Sequence, residues 1–214
     1  MVEIRFHSLG GQGAVTLIYL LALAGDRVGR FVQAFPFFGA ERRGAPVKSY
    51  LRMDEKPIYL RSQIYKPDFV VVMNLSLTEA ALSEGTKEDT VFIFNATEAE
   101  DELLANIPFE AYRVDATSIA LELGMEIEGM PLVNIPFLGA VANVTGLVSM
   151  EAIAEVLREN YPPERAELSL EAARQGFTSV VKFKDAVGVR DGVARGGHPA
   201  AIPTGNASES GDGR

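Results

Sequence analysis

Two short stretches carry residue types able to do chemistry. Phe6 to Ala14 reads F-H-S-L-G-G-Q-G-A, so that Gly10, Gly11, Gln12 and Gly13 form a turn immediately before an apolar run. Successive glycines allow the backbone to approach a ligand closely, and the N–H groups that open the next helix can receive an anion or a carbonyl oxygen. Gln12 adds a neutral amide. The spacing is not the dinucleotide fingerprint G-x-G-x-x-G, and no Lys-Ser or Lys-Thr pair completes a P-loop. Three readings follow: a structural turn, part of a site that a partner chain completes, or a nucleotide site held by this chain alone.

The second stretch, residues 33–52, reads QAFPFFGAERRGAPVKSYLR. It places Phe35, Phe37 and Phe38 beside Glu41, Arg42, Arg43 and Gly44. Aromatic anchors with a guanidinium pair are the composition of an interaction surface, and arginine's fixed fork of donors matches carboxylate or phosphate. The bland alternative is a surface loop in which Glu41 pairs with the arginines.

Other chemistry is poorly supplied. The 214 residues contain no cysteine, which excludes disulfides, thiolate nucleophiles and cysteine-ligated clusters in this chain. His7 and His198 are its two histidines, far apart in sequence, and His7 reads as a structural residue near a strand end. Ser8 lacks the G-x-S-x-G setting of a hydrolase nucleophile. Asp115, at a strand end, is a better site candidate than Asp68, at a strand start, but it suits a helix cap equally well. Twenty Lys and Arg against 29 Asp and Glu give a net charge of −9, which disfavours nucleic acid as a partner. The apolar run after Gly13 is too short for a membrane span and no secretory leader pattern opens the chain, so a cytoplasmic protein is expected.

The elements that must position these residues follow from periodicity. Residues 2–6 alternate charged and apolar types and read as a strand, 14–24 as a buried helix ended by the 25–29 segment, and 31–35 as a second strand. Residues 47–52 and 57–60 read as a hairpin across the turn-like 53–56. DFVVVMN from Asp68 and TVFIFNA from Thr90 are continuous β-rich runs, expected as parallel core strands on either side of a helix. Residues 110–116 give a short strand, with helices expected over 118–123, 150–160 and 164–180. The class expected is α/β: a Rossmann-like, largely parallel sheet with helices on both faces. One domain is expected over 1–183, and 184–214, rich in Gly, Ala and polar residues, reads as a flexible C-terminal tail.

Four ordered blocks carry a family resemblance: IRFHSLGGQGAVT, QAFPFFGAERRGAPV, KPIYLRSQIYKPDFVVV and NIPFLGAVANVTGLVSMEAI. Together they resemble the gamma subunits of pyruvate:ferredoxin oxidoreductases, within the 2-oxoacid:ferredoxin oxidoreductases, over residues 1–180. The resemblance implies a structural, active-site-completing chain in a complex that oxidatively decarboxylates pyruvate to acetyl-CoA. Coenzyme A is then a substrate. Thiamine diphosphate, Mg2+ and [4Fe-4S] clusters are expected on the alpha, beta and delta subunits or their fused equivalents, none on this chain alone, with ferredoxin or flavodoxin taking the electrons. Matched position by position, Gly10, Gly11, Gln12, Gly13, Arg42 and Arg43 become cofactor-binding candidates. Phe37, Phe38, Glu41 and Gly44, with Arg61, Ser62 and Gln63 of the L-R-S-Q segment, become interface candidates. Before the turn the related chains read H-G-R-G-G-Q-G, whereas this one has Ser8 and Leu9, one positive charge fewer. The alternative from another class is a non-catalytic nucleotide-binding or regulatory α/β module built on the glycine turn.

Overall fold

The computed structural model describes residues 1–37 and 44–186. Its centre is a seven-stranded sheet with the spatial order β2 (Phe31–Phe37), β3 (Pro46–Asp54), β1 (Val2–Leu9), β4 (Phe69–Val72), β5 (Val91–Asn95), β6 (Glu110–Val114), β9 (Val181–Lys184). Among the described residues six helices flank it: α1 (Ala14–Arg27), α2 (Thr78–Ser83), α3 (Ala116–Glu122), α4 (Asn134–Thr145), α5 (Met150–Asn160) and α6 (Pro163–Ser179). A two-stranded ribbon, β7 (Glu126–Ile127) with β8 (Met130–Pro131), precedes α4.

The sheet is mixed, which corrects the expectation of a largely parallel one. The four central strands β1, β4, β5 and β6 run parallel. The β2–β3, β3–β1 and β6–β9 pairings are antiparallel. The short 38–45 connection cannot carry the crossover that a parallel β2–β3 pair would need. The expected hairpin of 47–52 with 57–60 does not form either, because β3 pairs on one side with β2 and on the other with β1. With both edges of β3 taken, residues 57–60 have no strand to join.

The period-2 pattern of β1 sends Ile4 and Phe6 into the main core with α1, α4, α5 and α6. Arg5 and His7 go to the opposite face. There Val70, Val72, Phe92 and Phe94 meet Leu77 and Ala81 at α2 and Leu104 and Ile107 beyond it. Buried on both faces, β4 and β5 read as unbroken apolar runs. α1 continues to Arg27 rather than stopping at Gly25, since Gly25 lies inside the helix where a Cβ would stand 2.9 Å from Val32. The tightest helix contact is α4 against α6: a Cβ on Gly139 would lie 1.8 Å from the Ala173 carbonyl oxygen, and one on Gly176 1.9 Å from that of Pro136. Those two glycines let the backbones touch and thereby fix α4 along its length. The domain boundary expected at 184 meets β9, to which Lys184 still belongs, and residues 187–214 lie outside the described part.

Candidate functional site

β1 ends at Leu9, α1 begins at Ala14, and the glycine turn between them sits at the carboxyl end of β1, inside the sheet. Gly11 has φ 102° and Gly13 φ 80°, both left-handed conformations that an L side chain resists. Space is as restrictive as torsion: a Cβ on Gly11 would meet the Met130 sulfur at 3.0 Å, and one on Gly13 would meet the Asn134 Cγ at 2.7 Å. The β7–β8 ribbon and the first residue of α4 therefore close one side of the turn. The other side is tied to the end of the E-R-R-G segment, since Gly10 N–H donates to the Ala45 carbonyl (2.8 Å) and Gly44 N–H to that of Gly10 (3.1 Å).

Gln12 faces inward. Its Oε1 accepts from Leu9 N–H at 2.8 Å and its Nε2 donates to the Met73 carbonyl at 3.3 Å, which locks the turn to the end of β4. Asn95 Nδ2 donates to the same Met73 carbonyl, and its Oδ1 accepts from Ala116 N–H, so one pair of carboxamides ties the ends of β1, β4 and β5 to the start of α3.

Above the turn lies a cleft of about 270 Å³, lined by Ser8, Leu9, Gly10, Gly11 and Gly13 with Ala14, Val15 and Val47. The N-terminus of α1 opens into it with no side-chain cap and no acidic residue in its first turn. First-turn N–H groups have no intrahelical acceptor and carry the positive end of the helix dipole, so the cleft is suited to an anion. Beside it, Asn134 is 5% exposed and its Oδ1 has no hydrogen-bond donor. A buried polar atom left unpaired costs about 1–3 kcal/mol, and motif reading had not singled out Asn134 as a neighbour of the turn. The available signal was its place at the head of the NIPFLGAVANVTG block. A larger hollow between α1 and β2, whose lining includes Tyr19, Leu23, Asp26, Arg30 and Phe31, lies at the far end of α1 from the glycine turn.

The remaining candidates separate. Ser8 is buried with its hydroxyl 3.5 Å from the Val47 carbonyl. His7 lies in β1, where Nε2 accepts from Arg5 Nε at 3.0 Å; burial and the Arg5 guanidinium push its pKa down to about 4. Arg5 donates onward to the Ala81, Glu84 and Gly85 carbonyls around the end of α2. Asp115 caps α3 through Ser118 N–H at 2.9 Å, and Asp68 accepts from Glu3 N–H and pairs with Lys87. Phe37 ends β2 under the Lys48 ammonium, 5.5 Å from its ring centre. Phe38, Glu41, Arg42 and Arg43 lie outside the described residues, which stop at Phe37 and resume at Gly44.

Arg61 and Ser62 are exposed, while Gln63 turns inward, accepting from the Tyr50 hydroxyl at 3.4 Å and giving its carbonyl to Arg52. Tyr50 and Arg52 are level with Arg5 and Glu3, so this segment lies about 15–20 Å along β1 from the glycine turn. Arg61 and Ser62 are thus well separated from the glycine turn and from Gly44 beside it. Among the described residues no cluster of three or more His, Asp or Glu could hold a metal ion, and no helix is long and apolar enough to cross a membrane.

Fold and turn together are those of an α/β chain whose strand-ending glycine loop presents backbone donors to a cleft. Residues 3–179 match the Pyruvate ferredoxin/flavodoxin oxidoreductase family. The Pyruvate/ketoisovalerate oxidoreductases common subunit gamma of Pyrococcus abyssi is 46% identical over 86% of this chain and all of its own length. The Pyruvate synthase subunit PorC of Methanocaldococcus jannaschii is 43% identical over 85% of this chain and 98% of its own. The crystal structure of pyruvate oxidoreductase subunit PORC from Thermotoga maritima superposes with a TM-score of 0.72 at 33% identity, covering 84% of this chain and 97% of that one. The chain belongs to this oxidoreductase family, as one of its gamma (PorC-type) subunits. A 2-oxoglutarate:ferredoxin oxidoreductase from Magnetococcus marinus shares the fold at 22% identity (TM-score 0.70), with this chain matching 32% of the longer one.

Proposed function

We propose that this chain completes the coenzyme A end of a pyruvate:ferredoxin oxidoreductase active site whose thiamine diphosphate and iron-sulfur clusters sit on alpha, beta and delta subunits. The complex cleaves the bond between the carboxylate and the carbonyl carbon of pyruvate with release of CO2, passes the acetyl group to the thiol of coenzyme A with loss of its proton, and hands the two released electrons to ferredoxin. In this reading the protein works in the cytoplasm, and its strand-turn-helix start with parallel strands β1, β4, β5 and β6 is a Rossmann-like half that binds at the carboxyl ends of its strands.

The observation that carries the proposal is the uncapped N-terminus of α1, opening into the glycine cleft beside Gly44. Its N–H groups take a phosphate or carbonyl oxygen of coenzyme A, and Gly11 and Gly13 give the turn the left-handed backbone and close packing that aim those groups into the cleft. Gln12 positions the turn without touching the ligand. Arg43 adjoins Gly44 in the chain, so Arg42 and Arg43 supply the charge that Ser8 and Leu9 lack, either to coenzyme A or to a carboxylate of a neighbouring subunit. Phe37 and Phe38 are then interface anchors beside Glu41.

The test is Arg42→Ala with Arg43→Ala in the assembled complex. Assembly affinity is measured first, then turnover at several coenzyme A concentrations. The expected penalty is about 2–5 kcal/mol if a buried charged partner loses its counterpart. Wild-type affinity together with wild-type turnover at limiting coenzyme A refutes both roles.

A further inference from the structure

Residues 56–66, KPIYLRSQIYK, cross the sheet face at β2 and β3 without joining it. The strap is held from beneath: Gln33 donates to the Leu60 carbonyl at 2.8 Å, Arg52 donates to that of Gln63, and Ile64 is buried at 2% exposure. Its outward side chains have the opposite character. Tyr59 is 86% exposed, Tyr65 67% and Leu60 48%. Lys56, Arg61 and Lys66 are exposed as well, and among the described residues none of them forms an ion pair. The strap contains no acidic residue, in a chain whose net charge is −9.

Exposed tyrosines interleaved with unpaired cations are the composition of a contact surface with polar surroundings, and Tyr and Arg are the residues most often found to dominate binding energy. The pinned carbonyls matter too. A strap already held in one shape loses little conformational entropy on docking, unlike a free loop. Three unpaired cations on a strap without an acid select an acidic counterpart, and a symmetric pairing of two copies through this strap would set cations against cations.

We infer that the 56–66 strap is a second docking surface, which seats an acidic face of a neighbouring subunit of the oxidoreductase complex. This rests on the gamma-subunit reading and extends the Arg61 and Ser62 contact to Lys56, Tyr59, Tyr65 and Lys66, while Gln63 serves to hold the strap in place. The surface is independent of the coenzyme A cleft, which lies at the other end of β1.

The experiment compares the reconstituted complex containing wild-type chain with complexes containing Arg61→Glu with Lys66→Glu, or Tyr59→Ala with Tyr65→Ala. Far-UV circular dichroism of each full chain checks the fold, and Arg61→Gln with Lys66→Gln is the neutral replacement if charge reversal disturbs it. Charge reversal is expected to weaken assembly by roughly 10-fold or more at low salt, and high salt should narrow that difference. The tyrosine pair is expected to weaken assembly at every salt concentration. Hydroxyl-radical labelling of Tyr59 and Tyr65 should fall when the wild-type chain enters the complex. Wild-type affinity of the charge-reversed chain, or undiminished labelling in an intact wild-type complex, overturns the strap inference and leaves the gamma reading standing. Failure of the wild-type chain to assemble with the other subunits overturns both.

Discussion

Gly13→Ala is the sharpest test of how the glycine turn is built. At φ 80° an L residue pays about 1–2 kcal/mol for the left-handed backbone. The new methyl would also stand 2.7 Å from Asn134 Cγ and 2.8 Å from its Nδ2, well inside contact distance. Asn134 cannot retreat with its helix, because α4 is locked to α6 backbone-to-backbone at Gly139 and Gly176. It must leave its rotamer, which adds about 1 kcal/mol. The sum is about 2–3 kcal/mol, or a fall in Tm of about 5–10 °C for a domain of this size. Gly146→Ala is the control, since Gly146 has φ 62° with open space around it and should lose only the backbone term. Chemical denaturation of Gly13→Ala, Asn134→Ala and the double variant gives the coupling. About 1 kcal/mol should be recovered when both residues are alanine. A loss below about 1 kcal/mol for Gly13→Ala, or strict additivity in the cycle, refutes the claim that Asn134 closes the turn.

Two further outcomes follow from buried groups away from the cleft. His7 titrates near 4 in the folded chain against about 6.5 when unfolded, so the unfolded state binds more protons between those values and stability falls as pH drops from about 6.5 towards 4. That loss should reach roughly 2–3 kcal/mol in urea unfolding at a series of pH values; His7→Gln should remove it, and an unchanged pH profile in the variant would show that other groups carry it. Gly139→Ala and Gly176→Ala each drive a methyl to within 2 Å of a facing carbonyl oxygen, so each should cost more than about 3 kcal/mol by thermal unfolding. A loss near 1 kcal/mol in either would mean that α4 and α6 part easily.

Local pattern made the centre of the sheet legible and left its edges obscure. DFVVVMN and TVFIFNA are strands because a parallel strand covered on both faces needs apolar residues at every position, and that requirement is written into the run itself. Residues 57–60 have similar β character, yet whether they pair depends on β2 and β1 occupying both sides of β3, a condition set by long-range order. Sequence alone could not show that antiparallel neighbours would flank the parallel core. α4 was equally opaque as an element, since NIPFLGAVANVT is apolar on every side and has no period to betray it.

The site divides in the same way. Left-handed glycines before a helix are a local property, and the cluster from Gly10 to Gly13 could be read as a turn that approaches something closely. The roles of its neighbours are tertiary. Gln12, an obvious ligand-binding amide on paper, spends both ends of its carboxamide on Leu9 and Met73 because β4 ends beside β1. Asn134, unremarkable in an apolar block, keeps an unpaired oxygen because α4 folds back against Gly13. A buried acceptor without a donor lowers the stability of the free chain, and under the proposed function coenzyme A supplies the missing donor from its amide and hydroxyl groups. On that argument Asn134→Ala should leave the isolated chain as stable as wild type or more so, while raising the KM for coenzyme A in the complex. Loss of stability with an unchanged KM would make Asn134 a packing residue.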